Sequence, residues 1–220
     1  MRFLLCVITG GALALVARTY EGIAHARPET VTAELDGPSE RRSGVVLGLD
    51  LGAGLMTSSG YPNSAVKVND PRYHAASGAL VGTGESLFLM GALADVLNFG
   101  IWLGAGTYEN DHWRSTGVAG GFRVDVFPLY ALVPRLRDLG LAAKFGVGAT
   151  ELRAKHGESP GADGTSSYLG AGVFYELDLF HALGGHGTLA PLLEVQWIDT
   201  PSIERHGAVV GLRLAFYGGM

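Results

Sequence analysis

Six ionisable residues stand almost alone in runs that are otherwise glycine, alanine and aliphatic: Asp50, Arg123, Lys144, Glu176, Glu194 and Arg213. Each falls on the less bulky of the two faces obtained by sorting its segment into alternate residues. Three are cations and three are carboxylates, so the set is formally neutral. A charge buried without a partner is strongly unfavourable. The chemistry open to such a set is therefore mutual neutralisation: a structural ionic layer or, alternatively, a gated path for protons or ions.

Other chemistry is sparsely supported. His74, His112, His156, His181, His186 and His206 are scattered without metal-ligand spacing, although His186 and His206 could meet in space. Gly104-Ala-Gly106 and Gly146-Val-Gly148 lack the following glycine and helix of a phosphate cradle. His74 and Ser77 share a loop without an acid partner, which leaves a lipid-hydrolase reading weak. No catalytic residue, metal ligand or cofactor is expected. The net charge of −5 and the lack of a dense basic run argue against nucleic acid.

The elements that position the six charges follow from composition and period. Charged residues are only 17% of the chain, yet no stretch reaches the roughly 18 to 20 apolar residues of a spanning helix. Met1-Arg2, an apolar run from Phe3 to Ala17 and Ala24-His25-Ala26 resemble a secretory signal peptide cleaved after Ala26; a short anchor or buried helix is the alternative. Cys6, the only cysteine, lies in that segment, so the mature chain would have no disulfide. Arg27 to Arg42 is polar with two prolines and reads as a flexible periplasmic lead-in, leaving 43–220 as the folded domain.

From there alternation dominates, as in Val45, Leu47, Leu49, Leu51, Ala53 and Leu55 against Val46, Gly48, Asp50, Gly52, Gly54 and Met56. Eight strands are predicted: Gly44 to Met56, Glu85 to Ala94, Phe99 to Tyr108, Thr116 to Phe127, Leu139 to Leu152, Ser167 to Leu179, Thr188 to Ile198 and Arg205 to Tyr217. The second is the least regular, with a helix as its alternative. Pro191 in the seventh removes a ladder hydrogen bond. Pro128 to Asp138 is a connection that could hold a short interfacial helix. Strands of about ten residues suit a tilted crossing of a bilayer.

The small face makes an unsuitable water-facing exterior but suits the inside of a narrow barrel. The large apolar face then meets lipid. All six charges fall at one approximate depth, with Glu194 and Arg213 on adjacent strands, Arg213 and Asp50 on the closing pair, and Lys144 between Arg123 and Glu176. Aromatic belts are expected from Phe99, Phe127, Tyr130, Phe180, Phe216 and Tyr217 at the base and from Tyr108, Trp113, Tyr168 and Trp197 at the top.

The signal peptide, eight glycine-rich alternating strands and ionic interior resemble the small outer-membrane barrels of the OmpA/OmpX/OmpW class over Gly44 to Tyr217. The resemblance implies an all-β, eight-stranded antiparallel up-and-down transmembrane β-barrel, in the outer membrane of a Gram-negative-type bacterium after secretion to the periplasm. It implies outer-membrane lipid and the barrel-assembly machinery as partners. In such barrels a terminal aromatic residue is read during assembly; here Phe216-Tyr217 precede Gly218-Gly219-Met220. The expected role is structural or recognitive. It would act on an unknown extracellular partner through the loops Tyr61 to His74, Glu109 to Ser115 and Arg153 to Ser166. A small-solute channel and a soluble secreted lipid-binding barrel are the alternatives.

Overall fold

The computed structural model describes residues 42–156, 161–182 and 184–219. The expected signal segment and all of the lead-in except Arg42 lie outside them. The described chain forms β1 (Gly44–Gly60), β2 (Ala75–Ala94), β3 (Leu97–Glu109), β4 (Trp113–Val126), β5 (Leu139–Ala154), β6 (Ala162–Tyr175), β7 (Leu177–Ala182), β8 (Gly185–Asp199) and β9 (Ile203–Gly218).

Each strand pairs antiparallel with its sequence neighbour, and β9 returns to pair with β1, which closes the sheet. Both β6 and β7 pair with β8, in one register as far as Asp178 and with a one-residue shift before Phe180, so together they make a single stave and the barrel has eight. The break at Glu176 falls beside Pro191, which has no N–H to give. The Glu176 N–H bonds instead to the Asp138 carbonyl, at 3.0 Å.

Outward side chains form a leucine- and valine-rich band. Leu103, Val147 and Val210 are 66%, 69% and 66% exposed. That orientation opposes a soluble lipid carrier, whose apolar face would point inward. The inward face holds glycines that succeed one another as partners across five strands: Gly211, Gly52, Gly84, Gly106 and Gly117. Removing side chains there leaves room for large ones opposite, because eight staves enclose little space.

Several expectations meet the structure differently. The connection expected between Met56 and Glu85 is shorter, because β1 and β2 zip together as far as Gly60 and Ala75 and leave 61–74 as the loop. The second strand forms as expected, and its helical alternative does not. Its alternation is obscured because Phe88 and Met90 point inward while Leu87 and Leu89 point outward, so both faces are apolar. The Pro128 to Asp138 connection contains one 3-10 turn, Pro134–Leu136. Phe127, Tyr217, Tyr108 and Tyr168 are buried inside the barrel rather than in belts. On the outside, Phe122 lies between Phe99 and Phe145, with centroids 5.8 and 5.9 Å apart.

Candidate functional site

The lumen is organised in levels. At the base, where β1 begins and β9 ends, the Arg42 guanidinium lies 3.5 Å above the Phe127 ring. Its Nε donates to Glu176 Oε2 at 3.0 Å and its Nη2 to Asp138 Oδ1 at 2.9 Å. Its backbone N–H bonds to Asp95 Oδ1 at 2.8 Å, which pins the chain as it enters β1. The Tyr217 hydroxyl donates to the other Glu176 oxygen at 2.6 Å.

The next level joins opposite walls. Asp125 accepts from Arg123 Nε at 2.9 Å and from Arg213 Nη1 at 2.6 Å, and all three side chains are buried. Asp50 Oδ2 accepts from Arg123 at 2.6 Å, Lys144 at 2.9 Å and Ser86 at 2.9 Å. Lys144 Nζ also meets Glu194 Oε2 at 2.7 Å. Phe88 presents its ring to both guanidiniums, 4.1 Å from Arg123 and 4.8 Å from Arg213. Cation–π attraction adds to the ion pairs once water is excluded.

Asp50 and Arg213 are indeed register partners, as are Arg123 and Lys144. The short bonds follow the register only in part. Asp50 is joined to its register partner Ser86 and Arg123 to Asp125 on its own strand, whereas Arg123–Asp50, Lys144–Asp50 and Arg213–Asp125 cross the lumen. Glu194 bonds to Lys144 and to the hydroxyl of Tyr168, at 2.9 Å, rather than to Arg213 on the adjacent strand. Glu176 takes Arg42 as its near partner and stands 3.7 Å from Arg213.

Several members were missed in the sequence. Asp125 is two residues from Arg123 on the same face, so the alternation rule already contained it. Arg42 was assigned to the flexible segment because its surroundings are polar. Its side chain is buried by folding back over the base. Asp138 was read as a turn residue.

Above the network, Trp102 and Tyr168 pack with centroids 4.6 Å apart. Arg205 reaches in from β9 and lies 4.8 Å from the Tyr108 ring. Met56, Leu80, Leu152 and Ile203 then form an apolar cluster towards the loop end. A cavity of about 50 Å³ remains between the levels.

The loop rim is polar and cross-linked. Asn110 Oδ1 accepts the N–H groups of His112 and Trp113, which tightens the β3–β4 turn to Asn110–His112. Glu109 pairs with Arg114 at 2.8 Å and Lys155 at 3.3 Å. In the β1–β2 loop, hydrogen bonds from Arg72 hold the Asp70 carboxyl below its usual range. Tyr61 and His74 make an edge-on contact at 5.1 Å.

Ser77, expected on a loop, is buried in β2 and offers no triad. Ser77 Oγ donates to the Gly78 carbonyl at 2.8 Å and accepts the Ser58 N–H at 3.0 Å. Gly157-Glu158-Ser159-Pro160-Gly161 does spell the Gly-x-Ser-x-Gly pattern, which sequence reasoning passed over. It joins two strands, whereas a nucleophile elbow joins a strand to a helix, and residues 157–160 lie outside the described part. His186 stacks on Tyr217 at 4.8 Å and faces His181 at 5.8 Å, at the base. His206 pairs with Trp197 and Thr57 in the register near the loop end, so the two histidines do not meet.

A closed antiparallel barrel of eight staves, with a leucine-rich exterior and an ionic lumen, is a small β-barrel of the outer-membrane kind. No family model and no curated protein matches the sequence. Among solved structures, Neisserial surface protein A is similar at 10% identity over 80% of this chain and 97% of its own, with a TM-score of 0.44. The N-terminal barrel of Pseudomonas aeruginosa OprF gives 12% identity, 80% and 99% coverage and 0.42. The outer membrane protease OmpT of Escherichia coli gives 8%, 82% and 99%, and 0.40. The assignment of the fold rests on the closed ladder and not on these likenesses.

Proposed function

We propose that this chain is a non-enzymatic outer-membrane barrel with a sealed, charge-paired lumen, whose role is structural or recognitive and is exercised through its loop rim. It would reach the outer membrane through the periplasm. The observation that carries the reading is the set of ion pairs spanning the lumen from Arg42 to Glu194. Asp125, Asp50 and Lys144 each bridge two partners, so no single break opens a path. The apolar cluster of Met56, Leu80, Leu152 and Ile203 supports it from the loop side. The rim offers recognition surface on rigid strand ends.

One feature favours a small-solute channel as the second reading. Lys144 stands between two carboxylates at 2.9 and 2.7 Å, and could exchange one for the other. Planar-bilayer recordings test both. The sealed barrel conducts no steady current and stays closed in Glu194→Ala and in Arg213→Ala, whereas in a gated channel either substitution raises conductance. Steady wild-type current, or conductance raised by either substitution, would overturn the proposal.

A further inference from the structure

Arg205 is the buried cation that the network leaves out. It is 3% exposed, and its Nε and Nη1 have no hydrogen-bond partner among the described residues. The Tyr108 hydroxyl beside it is also without one, as is Trp102 Nε1. All three side chains line the same cavity of about 50 Å³. Arginine and the indole N–H can only donate. The cavity therefore presents unmet donors and a positive charge at its upper end.

The site is shaped for the guanidinium. Gly106 and Gly117 are register partners on the opposite wall. A Cβ on Gly117 would come within 2.7 Å of Arg205 Nη1, and one on Gly106 within 3.3 Å of Nη2. Bulk water is kept away by Met56, Leu80, Leu152 and Ile203. The Tyr108 ring offsets only part of the cost of burying a cation. Three carboxylate residues border the cavity. Glu85 is exposed, and the other two share Lys144 as a partner. Glu194 is met by Lys144, Tyr168 and Gln196. Asp50 is met by Arg123 and Lys144. The unpartnered Oδ1 of Asp50 marks the lower, acceptor end.

We infer that the upper lumen binds one small monovalent anion of the halide class against Arg205, with the Tyr108 hydroxyl and Trp102 Nε1 as further donors. The volume suits such an ion with a water, since one water needs roughly 10–15 Å³ measured this way. A single positive charge and a few donors suit a monovalent ion better than a divalent one.

The full chain refolded into zwitterionic detergent tests this in two ways. Unfolding is followed in sodium chloride and in sodium gluconate of equal ionic strength. Chloride at ten times its dissociation constant raises the folded-to-unfolded ratio about elevenfold and saturably, and gluconate does not. Arg205→Met loses this dependence. Crystals soaked in bromide show an anomalous peak at hydrogen-bond distance from the Arg205 guanidinium. Equal stability in the two salts, or bromide only on the surface, overturns the assignment; so does chloride dependence that survives Arg205→Met. Should that variant not fold, Tyr108→Phe replaces it and shows a weaker chloride dependence, while the bromide map uses the unaltered chain.

Discussion

Replacing Asp125 with asparagine removes one negative charge from between two buried guanidiniums while keeping the shape of the side chain. Asp125 accepts Arg123 on one oxygen at 2.9 Å and Arg213 on the other at 2.6 Å. Asparagine has a single acceptor oxygen, so one bond is kept by a neutral acceptor and the other is lost, with an amide N–H turned toward a guanidinium. The lost bond alone costs roughly 1.5–3 kcal/mol. Arg213 is then left with Glu176 at 3.7 Å, and Arg123 with Asp50 alone. Breaking a buried pair from one side typically costs about 3–5 kcal/mol, and Asp125→Asn is expected in that range. This is roughly a hundred- to several-thousandfold in the folding equilibrium. Reversible urea unfolding in lipid vesicles measures it, with folded and unfolded chain separated by the gel shift of unboiled barrels. A double-mutant cycle with Arg213→Met sharpens the test. Removing the cation as well should recover part of the loss, giving a coupling of about 1–3 kcal/mol. A cost below about 1 kcal/mol for Asp125→Asn, or penalties that simply add, would refute the idea that the interior charges hold one another.

Arg42→Met should destabilise the barrel by about 3–5 kcal/mol by the same unfolding measurement, because Glu176 and Asp138 lose a buried partner. An effect near zero would mean the residue belongs to the lead-in after all. Gly48→Ala should cost about 1–3 kcal/mol, since its methyl collides with the Phe88 ring and with the Leu214 carbonyl. Shortening the ring with Phe88→Leu in the same chain should return part of that loss. Val147→Arg, midway along β5 on the outer face, should cost about 2–4 kcal/mol in a bilayer and much less in detergent. Equal costs in both media would count against a lipid-facing exterior.

The architecture was legible because both periodicities of the problem are short. Outward leucines and inward glycines alternate over six pairs in β1, and the same code repeats to β9. Legibility failed where an inner face is itself apolar, as at Phe88 and Met90, and where a residue's position depends on chain ends. Arg42 is such a case. Its side chain is aimed by Phe127 and Glu176, which lie far away in sequence. Strand register was legible only in part. Counting along the strands placed the charges near one depth and set Asp50 beside Arg213, but it did not give the bonds that cross the lumen. Asp125 required only consistent use of the rule that had already selected Arg123. Arg205 was counted as the first residue of a strand, and only the assembled wall reveals that it crosses to Gly106 and Gly117.

The succession of glycines from Gly211 to Gly117 has an evolutionary consequence. Outward positions can exchange leucine for valine or isoleucine one at a time, since lipid conforms to any of them. Inward positions cannot drift independently. Gly48 and Gly140 are the vacancies into which Phe88 and Phe174 project, and Gly106 and Gly117 make room for the Arg205 guanidinium. An added methyl must be met by a smaller residue opposite, and a shortened ring by an enlarged glycine. Descendants of this chain should therefore diverge inside by coupled replacements and outside by single ones. In an alignment of such descendants, paired substitution at Gly48 with Phe88, or at Gly140 with Phe174, would record which side chains share a space.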